Sequence, residues 1–111
     1  MSRLPKAEDA IIDDDKIIKY LLSETHPIGS AKAKYFKNLG FTAEAAEQFR
    51  KALRRHAMDR TIVEQEKNSF GEKFVVRCEI EAPRRVDRCI NTVWILLKGS
   101  TAPKLVTAYP A

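Results

Sequence analysis

Long apolar runs are missing from the chain. None approaches the roughly 20 residues that cross a membrane as a helix, and Met1 to Lys6 hold no signal-peptide core. The expectation is a cytoplasmic domain that makes no membrane contact, or a piece of a longer exported protein whose signal lies elsewhere. Cysteine is scarce. Two residues, Cys78 and Cys89, are too few for a disulfide scaffold or a four-cysteine zinc site. Both fall in strand-like runs and read as small buried apolar residues. Histidine is as rare: His26 and His56 show no metal-ligand spacing with each other or with an acid, so neither metal nor cofactor is expected. There is no glycine-rich phosphate loop, internal repeat or heptad run.

What is present suits one packed domain over residues 1–111, because an apolar fraction of 44% can fill a core. The net charge of +5 favours anionic partners, nucleic acid first. The excess is modest, with 20 basic residues set against 15 acidic ones.

Residues 1–12 read as a lead-in that ends in a short extended piece, Ala10-Ile11-Ile12. One aspartate of Asp13-Asp14-Asp15 should cap a first helix near 14–23, whose stripe is Ile17, Ile18, Tyr20, Leu21 and Leu22. Pro27 and Gly29 make a turn around His26. Ser30 then caps a second helix near 30–38, lined on its buried side by Ala33, Phe36 and Leu39 and ended by Asn38 and Gly40. Thr42 caps a third helix near 43–58, where Phe49, Leu53, His56 and Ala57 keep a period near 3.6. Its other side carries Arg50, Lys51, Arg54 and Arg55. Such a charge run is more often a solvated face than a binding surface.

After Arg60 the apolar period switches to 2. Strands follow at 61–67, 72–82, 88–98 and 103–109, joined by short loops. The third is apolar on both faces and should be central. The prediction is an α+β fold: about three N-terminal helices (13–60) packed on one face of a four-stranded antiparallel meander (61–110), with the other face partly open. Symmetrical hairpins would set Thr92 beside Tyr109, Trp94 beside Thr107 and Arg77 beside Ile90. A slip of one residue would exchange the faces.

Several residue types useful for phosphate chemistry gather at the second helix. His26 can exchange protons near neutral pH, or it simply ties down its turn. Lys32 and Lys34 stand in the first turns of a helix, whose N-terminal end favours anions, although a solvated lysine is the commoner outcome. Arg77 interrupts an apolar strand. Thr92, Thr107 and Tyr109 bring hydroxyls into the last strands, where packing is their usual use. Trp94 offers a plane on which a base could stack, and a core position is the more frequent one. His56 reads as structural.

The chain resembles a small family of uncharacterised bacterial proteins, often found as C-terminal modules of predicted polymorphic toxins. The resemblance rests on four stretches that together span almost the whole chain. These are Leu4-Pro5 with Ala10 to Asp13; Tyr20 to Leu22 through Thr25 to Gly29 and on to Tyr35-Phe36; Leu39-Gly40-Phe41; and Asn91 to Ile95 with Pro103 to Pro110. That family is similar to the fold group uniting barnase, EndoU, the colicin E5 and D nuclease domains and RelE, in which N-terminal helices pack on a four-stranded antiparallel sheet. The resemblance implies a metal-independent ribonuclease that promotes attack of the 2′-OH on the adjacent phosphate. His26 and Lys32 would be the helical contribution and Thr107 and Tyr109 the sheet contribution, with Thr92 and Arg77 as lesser candidates. Lys34, Arg50, Arg54 and Trp94 would contact nucleic acid. RNA and a cognate immunity or antitoxin protein are the implied partners, and delivery to a target-cell cytoplasm the implied setting. The chain departs from a two-histidine acid/base pair: only His26 falls in the candidate site, so the second proton carrier would be Tyr109, Lys32 or water. A non-catalytic nucleic-acid- or protein-binding module on the same fold is the alternative.

Overall fold

The computed structural model describes residues 3–17, 21–22, 30–84 and 88–111. A 3-10 turn at Ala7–Asp9 is followed by α1 (Asp14–Lys16) and α2 (Ser30–Asn38). A second 3-10 turn at Ala43–Ala45 runs into α3 (Ala46–Asp59), and β1 (Thr61–Lys67), β2 (Gly71–Ile80), β3 (Arg88–Leu97) and β4 (Lys104–Pro110) complete the chain. The strands pair antiparallel in the order β1-β2-β3-β4. The molecule is therefore α+β, with the helices preceding an antiparallel meander.

Local chemistry explains most boundaries. Gly40, at φ 104°, ends α2 in the left-handed region that glycine tolerates. Phe41 N–H reaches back to the Phe36 carbonyl at 3.2 Å, closing the helix end. A Cβ on Gly40 would also fall 2.9 Å from Arg84 Cγ, so the space is closed to other residues. Thr42 caps the next segment: its Oγ1 accepts from Ala45 N–H at 3.2 Å. The aspartate run behaves differently from expectation. No side chain caps α1. Instead Asp13 pairs with Lys104 at 3.0 Å and Asp14 pairs with Arg50, because nearby cations hold the carboxylates. Of the first helix expected over 14–23, residues 18–20 and 23 lie outside the described residues, as does the position before Ser30.

One sheet face is packed. Phe74, Val76, Ile80, Ile90, Trp94 and Leu105 join Phe36, Phe41, Phe49 and Leu53 in a single buried cluster. Phe41 and Phe49 stack with ring centroids 4.4 Å apart. β3 is central and buried from Ile90 to Trp94. The lead-in covers the free edge of β4: Ile11 N–H donates to the Pro103 carbonyl at 2.8 Å, and Leu105 N–H to the Ile11 carbonyl at 2.9 Å. The cysteines differ from the expectation of buried apolar residues. They are half-buried and bonded to each other across β2 and β3, because Cys78 pairs with Ile90 and so lies diagonal to Cys89. Among the described residues, no helix is long and apolar enough to cross a membrane.

Candidate functional site

The site is built where α2 meets the edge strand. Lys32 lies one turn before the fully buried Phe36, on the same side of α2. Burying Phe36 therefore turns Lys32 toward β4. Its Nζ donates to Thr107 Oγ1 at 3.1 Å and stands 5.8 Å from the centre of the Tyr109 ring, within cation–π range. Thr107 and Tyr109 flank Ala108, which is packed into the core. By the pleat, both threonine and tyrosine belong to the opposite, outer face.

Strand register extends this face. Val75 pairs with Val93 and Val93 with Thr107; Arg77 pairs with Asn91 and Asn91 with Tyr109. Two adjacent rows result. One is apolar up to Thr107, with Val75 and Val93 buried as a floor. The other is polar throughout: Arg77, Asn91, Tyr109. Arg77 Nε donates to Asn91 Oδ1 at 2.7 Å. Asn91 is only 5% exposed, whereas Arg77 is exposed. A recess of about 260 Å³ lies beside these rows, lined by Glu64, Gln65, Glu66, Lys73 and Val75. Its two carboxylates disfavour an anion there, and Lys73 offsets part of that charge.

Thr92 belongs elsewhere. It is fully buried on the core face and joins His56 and Trp94. Trp94 Nε1–H donates to Thr92 Oγ1 at 2.8 Å, and Thr92 Oγ1 lies 3.1 Å from His56 Nδ1. His56 Nε2 is 2.8 Å from the Cys78 carbonyl, which can only accept. Nε2 therefore carries the proton, and Nδ1 accepts from the Thr92 hydroxyl. Burial holds the His56 pKa down to about 4 from its usual 6.5. The bond to the Cys78 carbonyl opposes that shift, and the Arg60 charge reinforces it. This chain of bonds is closed and offers nothing to a substrate.

The register explains the separation. Symmetrical hairpins would put Thr92 beside Tyr109, but Asn91 takes that place, and Thr92 pairs with Ala108. A bulge between Val93 and Trp94 also shifts the lower half of the β3–β4 pair. One step exchanges the faces. Trp94 is likewise 0% exposed and presents no ring to a base. Arg50 and Arg54 are occupied with the lead-in. Arg50 Nε donates to the Ile12 carbonyl at 3.2 Å, and its guanidinium pairs with Asp14 and Glu47. Arg54 Nη2 donates to the Ala10 carbonyl at 3.2 Å. Lys34 is exposed on α2. His26 lies outside the described residues.

The structure thus brings together Lys32, Thr107 and Tyr109, with Arg77 in the adjoining row, and holds Thr92, Trp94, Arg50 and Arg54 apart. Sequence reasoning missed Asn91. The signal was there: a polar residue at an odd position of an otherwise apolar strand. Among the described residues, no cluster of three or more histidine, cysteine or acidic side chains stands where it could hold a metal ion.

No curated protein matches the sequence. A chain in the solved contact-dependent growth inhibition toxin–immunity protein complex from Klebsiella pneumoniae 342 is similar in fold. The TM-score is 0.64 at 18% identity, over 91% of this chain and 99% of that one. Residues 3–111 match the model of a domain of unknown function, DUF6883, and the chain belongs to that family.

Proposed function

We propose that the outer face around Lys32, Thr107 and Tyr109 is the site of a metal-independent, toxin-type ribonuclease. The observation that carries this reading is the Lys32 Nζ to Thr107 Oγ1 bond of 3.1 Å beside the Tyr109 ring, because it joins a helical cation to the hydroxyl-bearing side chains of the outer face. The fold shared with a chain of a toxin–immunity complex supports it. By the same analogy a cognate immunity protein would cover this face, and the chain would act in a target-cell cytoplasm as part of a larger toxin.

In the proposed reaction the RNA 2′-oxygen forms a bond to the adjacent phosphorus, and the bond from phosphorus to the 5′-oxygen breaks. The products are a 2′,3′-cyclic phosphate and a 5′-hydroxyl. Lys32 faces the charge that grows on the phosphoryl oxygens, and Thr107 orients that phosphate. One proton leaves the 2′-OH and another reaches the departing 5′-oxygen. His26, four residues before Ser30, is assigned one of these transfers on the strength of the sequence. Tyr109, Lys32 or water supplies the other.

Purified protein incubated with total RNA in EDTA tests this. Wild type should release fragments ending in cyclic phosphate, with Lys32→Ala, Thr107→Ala and His26→Ala slower by about 100-fold for a lost transition-state contact. Equal cleavage by all four proteins, or by none, overturns the reading. RNA that is bound with steep salt dependence but left whole would make the domain a binding module instead.

A further inference from the structure

We infer that Arg77 and Asn91 form a second phosphate subsite, distinct from the Lys32–Thr107 position, and that Asn91 is its positioning residue. The inference rests on the reading of the outer face as an RNA site. It gives that site a substrate class: single strands with at least two phosphates bound across β2, β3 and β4.

The Asn91 position, flanked on its own face by Val93, needs only an apolar side chain for packing. An amide that is 5% exposed is costly there unless it is hydrogen-bonded. Its Oδ1 accepts from Arg77 Nε–H at 2.7 Å. Arginine has five N–H donors in one plane, and this bond uses one of them. It ties down the guanidinium through Nε and takes up neither terminal nitrogen of this exposed side chain. Planar pairs of N–H donors match phosphate oxygens two at a time. An arginine already held in place loses less freedom when it binds.

Placement supports a separate subsite. Arg77 and Tyr109 are two strands apart in one row, hence about 10 Å between Cα atoms. That exceeds the step between adjacent phosphates on one strand, so the two positions take phosphates separated by a nucleotide. Tyr109 lies at the Lys32 end of the row, so the two cations stand at opposite ends of a polar track with Asn91 between them. On the β1 side the track ends at Thr61, which pairs with Arg77, and Glu64 stands in the adjoining row beside Val75.

The test is binding of a non-cleavable 2′-O-methyl RNA hexamer and of a 2′-O-methyl dinucleotide with one phosphate. The proteins are wild type, Arg77→Ala, Asn91→Leu and the double variant. Each single variant should weaken hexamer binding about five- to tenfold, lower the slope of affinity against salt by about 0.7, and leave the dinucleotide unaffected. The double variant should be no weaker than Arg77→Ala, because Asn91 acts only through Arg77. Hexamer binding by Asn91→Leu equal to wild type, or additive losses in the double variant, would overturn the positioning role. Arg77→Lys covers the case in which Asn91→Leu fails to fold: it should keep the salt slope but lose most of the affinity, and wild-type affinity would overturn the subsite. If RNA is cleaved but these variants bind normally, the subsite falls and the ribonuclease reading stands. If Arg77 and Asn91 show the coupled loss while no RNA is ever cleaved, the reverse holds.

Discussion

The two faces of the sheet carry nearly the same chemistry with opposite consequences. On the inner face, Thr92 joins an aromatic donor, Trp94, to a base, His56. On the outer face, Thr107 accepts from a cation, Lys32, beside an aromatic ring, Tyr109. The inner set is buried and every ring nitrogen has a partner. The outer set is half-buried. A hydroxyl, an aromatic and a basic side chain are therefore not diagnostic of a site. The face decides, and the face is set by one residue of register.

Mutation of each face can break this contrast. The largest expected effect is on the inner one. Trp94→Ala should cost about 4 kcal/mol of stability, since it removes a fully buried indole and leaves a cavity. A urea midpoint within 1 M of wild type would be too small for that loss, given a typical slope of about 1–3 kcal/mol per molar.

Acid should act on the inner face next. The folded His56 pKa, about 4, lies below the unfolded value of 6.5. Between these values the unfolded chain takes up a proton that the folded chain refuses. The contribution is complete above pH 6.5 and is lost as pH falls toward 4, by about 3 kcal/mol in total. An NMR titration should show the His56 ring neutral at pH 5.5. Titration near 6.5 would mean that the ring is not buried in the bonded form.

A smaller, paired test compares the two threonines. Thr92→Val strands the Trp94 N–H and His56 Nδ1, for a loss of about 2 kcal/mol. Thr107→Val should cost less, about 0.5 kcal/mol, because it alters a half-buried contact and not a fully buried one. Equal effects in thermal melts would erase the distinction between the faces.

How much of this was legible in the sequence follows from what each signal encodes. The strand Thr61–Lys67 and the helix Ser30–Asn38 were readable because the apolar period and the turn residues Pro27, Gly29 and Gly40 are local. The convergence of Lys32 with Thr107 and Tyr109 was also expected, from the order of the elements and the resemblance. The faces of Thr92 and Trp94 were not readable, since a period of 2 reports alternation but not partners, and a bulge near Trp94 leaves no composition mark. Asn91 was passed over because its strand looked apolar on both sides, although its own polarity marked the position. Arg50 and Arg54 looked solvated because nothing near them in the chain announces that the carbonyls of Ile12 and Ala10 cross their helix.

On the proposed reading the outer face does chemistry while the inner face holds the fold. The rate of RNA cleavage in EDTA by Lys32→Ala, with its unfolding midpoint measured on the same sample, tests it most directly. The rate should fall by about 100-fold at an unchanged midpoint. A wild-type rate at that midpoint would contradict it.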